Sequence, residues 1–492
     1  MFVGIDIGTT SVKSVLMEEN GAIAAAASFP VALSRPRAGW SEQEPDHWWA
    51  SVCQTLDALA ATEPRRMAAV TGIGLSGHMH GATLLGADDA VLRPAILWND
   101  GRAVAECAEI EAACPEARAI TGNIAMPGFT APKLAWVRRH EPDVFARIAK
   151  VLLPKDFVRL RLTGHHASDM SDSAGTYWLD VGARRWSDAL LAATGLDRSQ
   201  MPELFEGTAA TGRLREPLRA RWGFDRAPVV AGGGGDNAAS ACGIGAVRPG
   251  SAFLSLGTSG VLFVSNARFS PNTAGAVHAF CHALPETWHQ MGVILSATDS
   301  LNWYARLLDT PAPVLTAALG ERVSRPSPAL FLPYLSGERT PHNDAGARGG
   351  FVGLDQTSSR QDLTQAVLEG VGFAFRDCLR VLNDAGTQVE RAFALGGGSN
   401  SPVWLAIMAS ILDRPLDVSA AADVGAAYGA ARLGMAAFSE SRDPASLMPP
   451  PRIERTVEPD PALARAYAER YGRYRALYGS TAHAAEAGSA AA

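Results

Sequence analysis

The chain reads as an α/β protein of two similar domains with a ligand cleft between them. Three observations predict this. A strand, a tight hydroxyl-bearing turn and a returning strand open the chain, and the same unit recurs near residue 251. Each half carries a later apolar strand that ends in glycine. The length, 492 residues, exceeds what one ordinary core accommodates, so two domains of about 200–250 residues are the default.

The first unit is the strand Phe2-Val3-Gly4-Ile5-Asp6-Ile7, the turn Gly8-Thr9-Thr10 and the return from Ser11 to Met17. Hairpin turns usually carry Asn-Gly or Asp-Gly, so hydroxyls here need another reason. Backbone N–H groups and two Thr hydroxyls make a short anion cradle, and Asp6 is placed to hold a water of hydrated Mg²⁺. A plain hairpin accounts for the same residues. Ser251–Leu256, Gly257-Thr258-Ser259-Gly260 and Val261–Val264 repeat the pattern. The later strands are Val70–Gly77 and Ala392–Gly398. A boundary is therefore expected near 245–250, giving domains 1–246 and 247–479 and an Ala/Gly/Ser-rich disordered tail at 480–492.

Gly72-Ile73-Gly74-Leu75-Ser76-Gly77 fits GxGxxG after a strand, which invites a dinucleotide fold. The required helix does not follow: Ala82–Leu85, a turn at Gly86–Asp89 and Val91–Trp98 read as a hairpin. His78 and His80, two apart on a strand, are expected to point the same way; sugar or backbone hydrogen bonding suits them better than a metal, for want of a third ligand. Trp98-Asn99-Asp100-Gly101-Arg102 mixes a flat aromatic, an amide and a carboxylate, as a polyol pocket does. Lys155-Asp156 and Ser168–Asp172 read as strand ends and turns, with Asp169 and Asp172 as caps. Downstream, Ser336–His342 is a polar loop dense enough to close over a site, and Gln361–Arg380 is a long helix. Leu395-Gly396-Gly397-Gly398-Ser399-Asn400 opens the helix Pro402–Leu412. The bare backbone leaves room for a flat adenine, and Asn400 is placed to bond its edge or a phosphate, although a glycine-rich helix start explains it equally. Leu463, Tyr467, Tyr471, Tyr474 and Tyr478 recur at helical spacing, the mark of core packing.

The charge of −6 gives no global reason to bind nucleic acid or an anionic membrane. Six scattered cysteines without a CxxC fit reduced thiols, no apolar run spans a bilayer and no basic leader precedes Phe2, so a cytoplasmic setting is expected. No Gly-Lys-Ser/Thr occurs, which excludes a P-loop and requires nucleotide phosphates to be held another way.

The remaining stretch is Val229 through Gly232–Gly235 into Asp236, Asn237 and a small-residue helix. Asp236 is the first reactive side chain after bare backbone and would sit at a positive helix end, favouring an ionised base; the plainer alternative is an Asp N-cap. Together, Asp6-Ile7-Gly8-Thr9-Thr10, Gly257-Thr258-Ser259, Gly396–Gly398 and Gly-Gly-Asp236-Asn237 resemble the FGGY family of carbohydrate kinases. So do Gly128-x-Thr130-x-x-Lys133-Leu134-x-Trp136 and Gly349-x-Phe351-x-Gly353-Leu354 with Asp362-Leu363 and Ala366–Glu369. The resemblance implies two actin-like (ribonuclease-H-like) domains with a catalytic cleft between them. Met79-His80-Gly81-Ala82, Trp98–Arg102, Pro154-Lys155-Asp156, Ser168–Asp172 and Tyr334–His342 are most similar to the branch that uses ATP to phosphorylate D-xylulose at its C5 hydroxyl. It implies Asp236 as catalytic base and Asp6 as the Mg²⁺-associated carboxylate. Met79, His80, Asn237 and Asp100 fall to the sugar, Thr9, Thr10, Gly257 and Thr258 to the phosphates, and Gly397 and Asn400 to the adenosine. A homodimer is implied by the resemblance alone. Two departures stand out: His78 replaces a usual Gln, and the run before Asp236 is one glycine longer. The alternatives are a kinase for another pentulose or a polyol, such as D-ribulose or an arabitol, and a non-catalytic sugar sensor on the same scaffold.

Overall fold

In the computed structural model, which describes residues 1–420 and 425–489 and side chains through residue 479 apart from 421–424, each half is built on its own seven-stranded sheet. The first sheet runs in the order Ala210–Arg213, Val229–Ala231, Gly72–Gly77, Phe2–Ile7, Ser11–Met17 and Ile23–Pro30, with Gly234–Gly235 also paired to Gly72–Gly77. The second is His278–Cys281, Trp288–Ile294, Gly260–Asn266, Ala252–Leu256, Ala392–Leu395, Leu416–Ser419 and Ile453–Val457.

The duplication is visible in the pairing. Phe2–Ile7 pairs antiparallel with Ser11–Met17 and parallel with Gly72–Gly77. Ala252–Leu256 pairs antiparallel with Gly260–Asn266 and parallel with Ala392–Leu395. Parallel neighbours need crossovers, and the apolar runs Val3, Ile5, Ile7 and Leu254, Leu256 are buried because helices cover the sheets. The Ala392 strand stops at Leu395, three residues short of the expected end. Gly396 turns into the left-handed region (φ 85°), and residues 397–400 form a 3₁₀ turn. The expected hairpin at 82–98 is mostly irregular: Thr83–Leu85 pairs with Lys150–Leu152 and Ala95–Ile96 with Glu42–Gln43, while only isolated bridges join the two. No helix follows Gly77 directly, so the GxGxxG match is not a dinucleotide turn.

The helix Ala426–Ser439 belongs to the second half by sequence yet packs on the first sheet and on the helix Asp236–Ile244. Glycines make this approach close: a Cβ on Gly74 would lie 1.7 Å from the Ala430 carbonyl oxygen, and one on Gly4 1.9 Å from that of Ala427. This helix joins the halves along a shared core that the sequence boundary does not show. The long helix spans Arg360–Asp384 and opens with a capping box between Ser359 and Asp362. The final helix runs Pro461–Ser489 and buries Leu463, Tyr467 and Tyr474 in the second core, as the spacing predicted. Of the tail expected to be disordered, residues 480–489 continue this helix in backbone, and 490–492 lie outside the described residues.

Candidate active site

The glycine run is shaped by what crowds it. Val229 and Val230 pair with Gly72 and Ile73, and Gly234 and Gly235 pair with Ser76 and Gly77. Three residues on one strand therefore face two on the other. The additional residue of this strand forms a bulge, with Gly233 at φ 73°. Cβ atoms on Gly232 and Gly233 would sit 2.3 Å from the Glu206 and 2.2 Å from the Leu75 carbonyl oxygens. Beyond the bulge, Asp236 is the first residue of the helix Asp236–Ile244, and Gly235 takes the cap position. The N-cap alternative for Asp236 is thereby excluded. Asn237 donates to Asp236 Oδ1 from its backbone N–H (2.7 Å) and from Nδ2 (2.8 Å). One carboxylate oxygen is held and Oδ2 is left to take up a proton.

Enclosure in the cleft, with the Asp6 charge adding, raises the Asp236 carboxyl to about 6. Asp6 is raised by its own burial, against the pull of Ser76 and of Lys13, its register partner across the hairpin. Its Oδ1 is buried and has no hydrogen-bond partner among the described residues. Such an oxygen is costly unless something binds it. Lys13 is a residue that the sequence reading missed; its opposition to Asp6 in the first hairpin was the available signal.

A buried ionic cluster holds the glycine run, also unforeseen. Lys155 and Asp156 lie on the helix Pro154–Thr163 rather than at a strand end. Lys155 Nζ sits 2.6 Å from Asp156, 2.7 Å from Asp169 and 3.2 Å from Asp172, all fully buried. Asp169 caps the short helix Met170–Ala174 as expected; Asp172 does not cap and faces Lys155 instead. Arg159, bonded to Asp156, donates to the Gly232 carbonyl, and Ser171 Oγ accepts the Gly235 N–H at 3.1 Å while donating to Asp169. The cluster thus grips the bulge on both sides, immediately before Asp236. Breaking a buried charge network of this kind costs about 3–5 kcal/mol, so Lys155→Met should both destabilise the protein and lower kcat; a denaturation midpoint equal to wild type would contradict it.

Met79 packs against Gly235 so closely that a Cβ there would fall 2.8 Å from its Cγ. Met79 is therefore brought beside the residue that precedes Asp236, and His80 follows it in the chain, facing Gly175 and Phe129. The two histidines diverge, contrary to the expected shared face, because the strand ends at Gly77 and His80 takes φ 71°. His78 turns into the core against Trp48 (ring centroids 5.4 Å apart). Trp48 Nε1 donates to Gln43, whose Nε2 donates to the Thr9 carbonyl, so His78 sits behind the Gly8–Thr10 turn. Asp100 is corrected from sugar contact to structural anchor. Its oxygens accept from Ser41 N–H and from Arg102 at the backbone, Nε and Nη2, at 2.6–2.9 Å, and its side chain is fully buried. Asn237, half-buried, bonds the Asp236 carboxylate as described above.

At the first hydroxyl turn, Thr10 is exposed and Thr9 Oγ1 accepts from Trp98 Nε1 at 3.1 Å. Trp98, 42 % exposed, rims the first turn. The second turn is tied down through its carbonyls: Gly257 accepts from Thr298 N–H and Oγ1, and Thr258 from Ala297 N–H. The Thr258 side chain is left exposed. A cavity of about 660 Å³ opens beside it, lined among others by Thr298, Asn302, Thr316, Gly397, Asn400 and Pro402. The three glycines divide their work. Gly396 and Gly398 are crowded by Leu256 and its neighbours, whereas nothing described lies within 4 Å of a Cβ on Gly397, which faces the cavity.

Comparison with known proteins agrees with this arrangement. The FGGY carbohydrate kinase N-terminal domain model matches residues 1–243 and the C-terminal domain model residues 252–438. The chain is 48% identical over 479 residues to the xylulose kinase of Escherichia coli (strain K12), covering 97% of this chain and 98% of that one. A solved structure described as a xyloylose kinase from Brucella ovis shares 56% identity at a TM-score of 0.96, over 97% of this chain and 99% of the other. The xylulose kinase of Rhodospirillum rubrum shares 32% at 0.90, over 97% and 98%. Family-model matches over both halves and near full-length similarity converge: this chain is a kinase and belongs to the FGGY family of carbohydrate kinases.

Proposed function

We propose that the protein transfers the γ-phosphoryl group of ATP to D-xylulose, giving D-xylulose 5-phosphate, with Asp236 as the general base. The observation that carries this reading is the placement of Asp236: a partly buried carboxylate at a helix N-terminus, with one oxygen held by Asn237. Its pKa is raised to about 6, and Met79 packs on Gly235 immediately before it. The sugar assignment rests on the xylulose kinase relatives. Sugar binding falls to the unit 1–246 and nucleotide binding to 247–479.

Phosphoryl transfer needs in-line positioning and charge neutralisation more than covalent chemistry. Asp236 Oδ2 accepts the hydroxyl proton as the sugar oxygen attacks, which contributes about 10²–10⁴-fold in rate. The N–H groups and hydroxyls of Thr9, Thr10, Gly257 and Thr258 hold the phosphates, and Gly397 and Asn400 receive the adenosine. Asp6, with its unpartnered buried oxygen, suits a hydrated Mg²⁺, which when bound neutralises phosphate charge. Among the described residues no three His, Cys, Asp or Glu side chains cluster as a metal cage; one or two carboxylates plus substrate phosphates are the usual holders of Mg²⁺.

A coupled assay of ADP release across ketoses and polyols tests the reading. Highest kcat/KM is expected with D-xylulose. A preference for D-ribulose or an arabitol would move the substrate within the same chemistry, and no ADP release with any sugar would support the sensor. Gly397→Val should raise the KM for ATP at least about tenfold by filling the cavity and leave the sugar KM within twofold; equal changes in both would remove Gly397 from the nucleotide side.

A further inference from the structure

His80 is a β-carbon residue held at φ 71°, a conformation that costs about 1–2 kcal/mol outside glycine. Something must hold it there. Its carbonyl accepts from Thr130 Oγ1 at 3.1 Å and from Lys133 Nζ at 2.9 Å. Thr130 and Lys133 lie in the first turn of the helix Thr130–His140, and both are 0% exposed. A fully buried lysine is rare; burial pushes the Lys133 pKa well below the usual lysine value, against the pull of Asp100, and its Nζ is spent on a backbone carbonyl. The ring is fixed from the other side. His80 Nδ1 is 2.6 Å from the Gly175 carbonyl, which can only accept, so the proton resides on Nδ1 and Nε2 carries the lone pair. Gly175 has to be glycine for this contact, since a Cβ there would lie 2.5 Å from His80 Cε1. Phe129, 4.9 Å away between ring centroids, walls the imidazole.

We propose that Lys133, with Thr130, is a positioning residue for sugar recognition: by bonding the His80 carbonyl it holds the left-handed turn that presents the His80 Nε2 lone pair as an acceptor for one sugar hydroxyl. Burial, reinforced by the Lys133 charge, lowers the imidazole to about 3, so the ring stays a neutral acceptor. The proposal rests on the reading of His80 as a sugar contact.

The test compares Lys133→Met, Thr130→Val, Thr130→Ser and His80→Ala by steady-state kinetics in both substrates and by ¹⁵N NMR of the histidine side chains. Lys133→Met is expected to raise the D-xylulose KM about tenfold or more while the ATP KM stays within twofold. Thr130→Val should raise the sugar KM severalfold, Thr130→Ser should restore it, and the His80 Nε2 resonance should move in the first two variants only. A merely structural role would lower stability and shift both KM values together. Should Lys133→Met not fold, the Thr130 pair decides. Wild-type sugar KM in Thr130→Val, with the sugar KM raised in His80→Ala, would overturn the positioning role alone. An unchanged sugar KM in His80→Ala would overturn the reading of His80 itself.

Discussion

Asp236→Asn is expected to lower kcat by about 10²–10⁴-fold and to leave sugar affinity within a few-fold of wild type. The amide keeps the oxygen that Asn237 binds, so the local geometry survives while the proton acceptor is lost. Stability supplies a second readout. A carboxyl raised from 3.8 to about 6 on folding binds its proton more tightly in the native state. Its charge therefore costs nothing below about pH 4 and destabilises increasingly as pH rises through 6. Discounted for partial exposure, the cost at pH 8 is about 1–2 kcal/mol. The variant should consequently be more stable than wild type at pH 8 and equal to it near pH 4, as read by urea denaturation at both pH values. Near-normal kcat would remove Asp236 from the base position.

Gly429→Ala should be as damaging by a different route. Gly429 lies inside the helix Ala426–Ser439, where alanine would ordinarily gain about 1 kcal/mol in helix propensity. A Cβ there would fall 1.7 Å from the Ala239 carbonyl oxygen and 2.8 Å from the Gly243 nitrogen. These are backbone atoms of the helix that begins at Asp236, and backbone cannot swing aside. Overpacking on this scale reverses the propensity gain, and a net loss of about 3 kcal/mol is expected. Because relief requires the Asp236–Ile244 helix to move, kcat should fall along with stability. Gly472→Ala is the matched control: it sits in the helix Pro461–Ser489 with nothing described within 4 Å of its Cβ, and should be neutral or slightly stabilising. Equal stability of the two variants would show that the helix contact tolerates a side chain.

The residues legible in sequence were those whose local pattern already encodes their task. The two hydroxyl turns and the glycine run into Asp236 are short-range signals found with their neighbours in place, whereas the Ala392 strand stops at Leu395 and Gly396–Gly398 lie in the turn beyond it. Asp100 failed because a carboxylate beside an aromatic looks the same whether it faces a sugar or an arginine, and only packing aimed it at Arg102. The shared face expected for His78 and His80 failed because the alternation of a strand was extended past its end at Gly77. The Lys155 cluster was invisible as a unit, since its members are drawn together from separate turns and carry an ordinary charged composition.

What the sequence determined by itself was the α/β class, the duplicated hairpin unit, the exclusion of a P-loop and the identity of Asp236 as the first side chain beyond bare backbone. These follow from side-chain period, glycine content and residue spacing, which are local. The tertiary structure alone decided that the glycine run forms a bulge, that Arg159 and Ser171 clamp it, and that a helix from the second half packs into the first sheet through glycines. It also decided that His80 is held left-handed by a buried lysine 53 residues away. Those features depend on which backbone atoms lie opposite each other across the folded core, and non-local packing sets that.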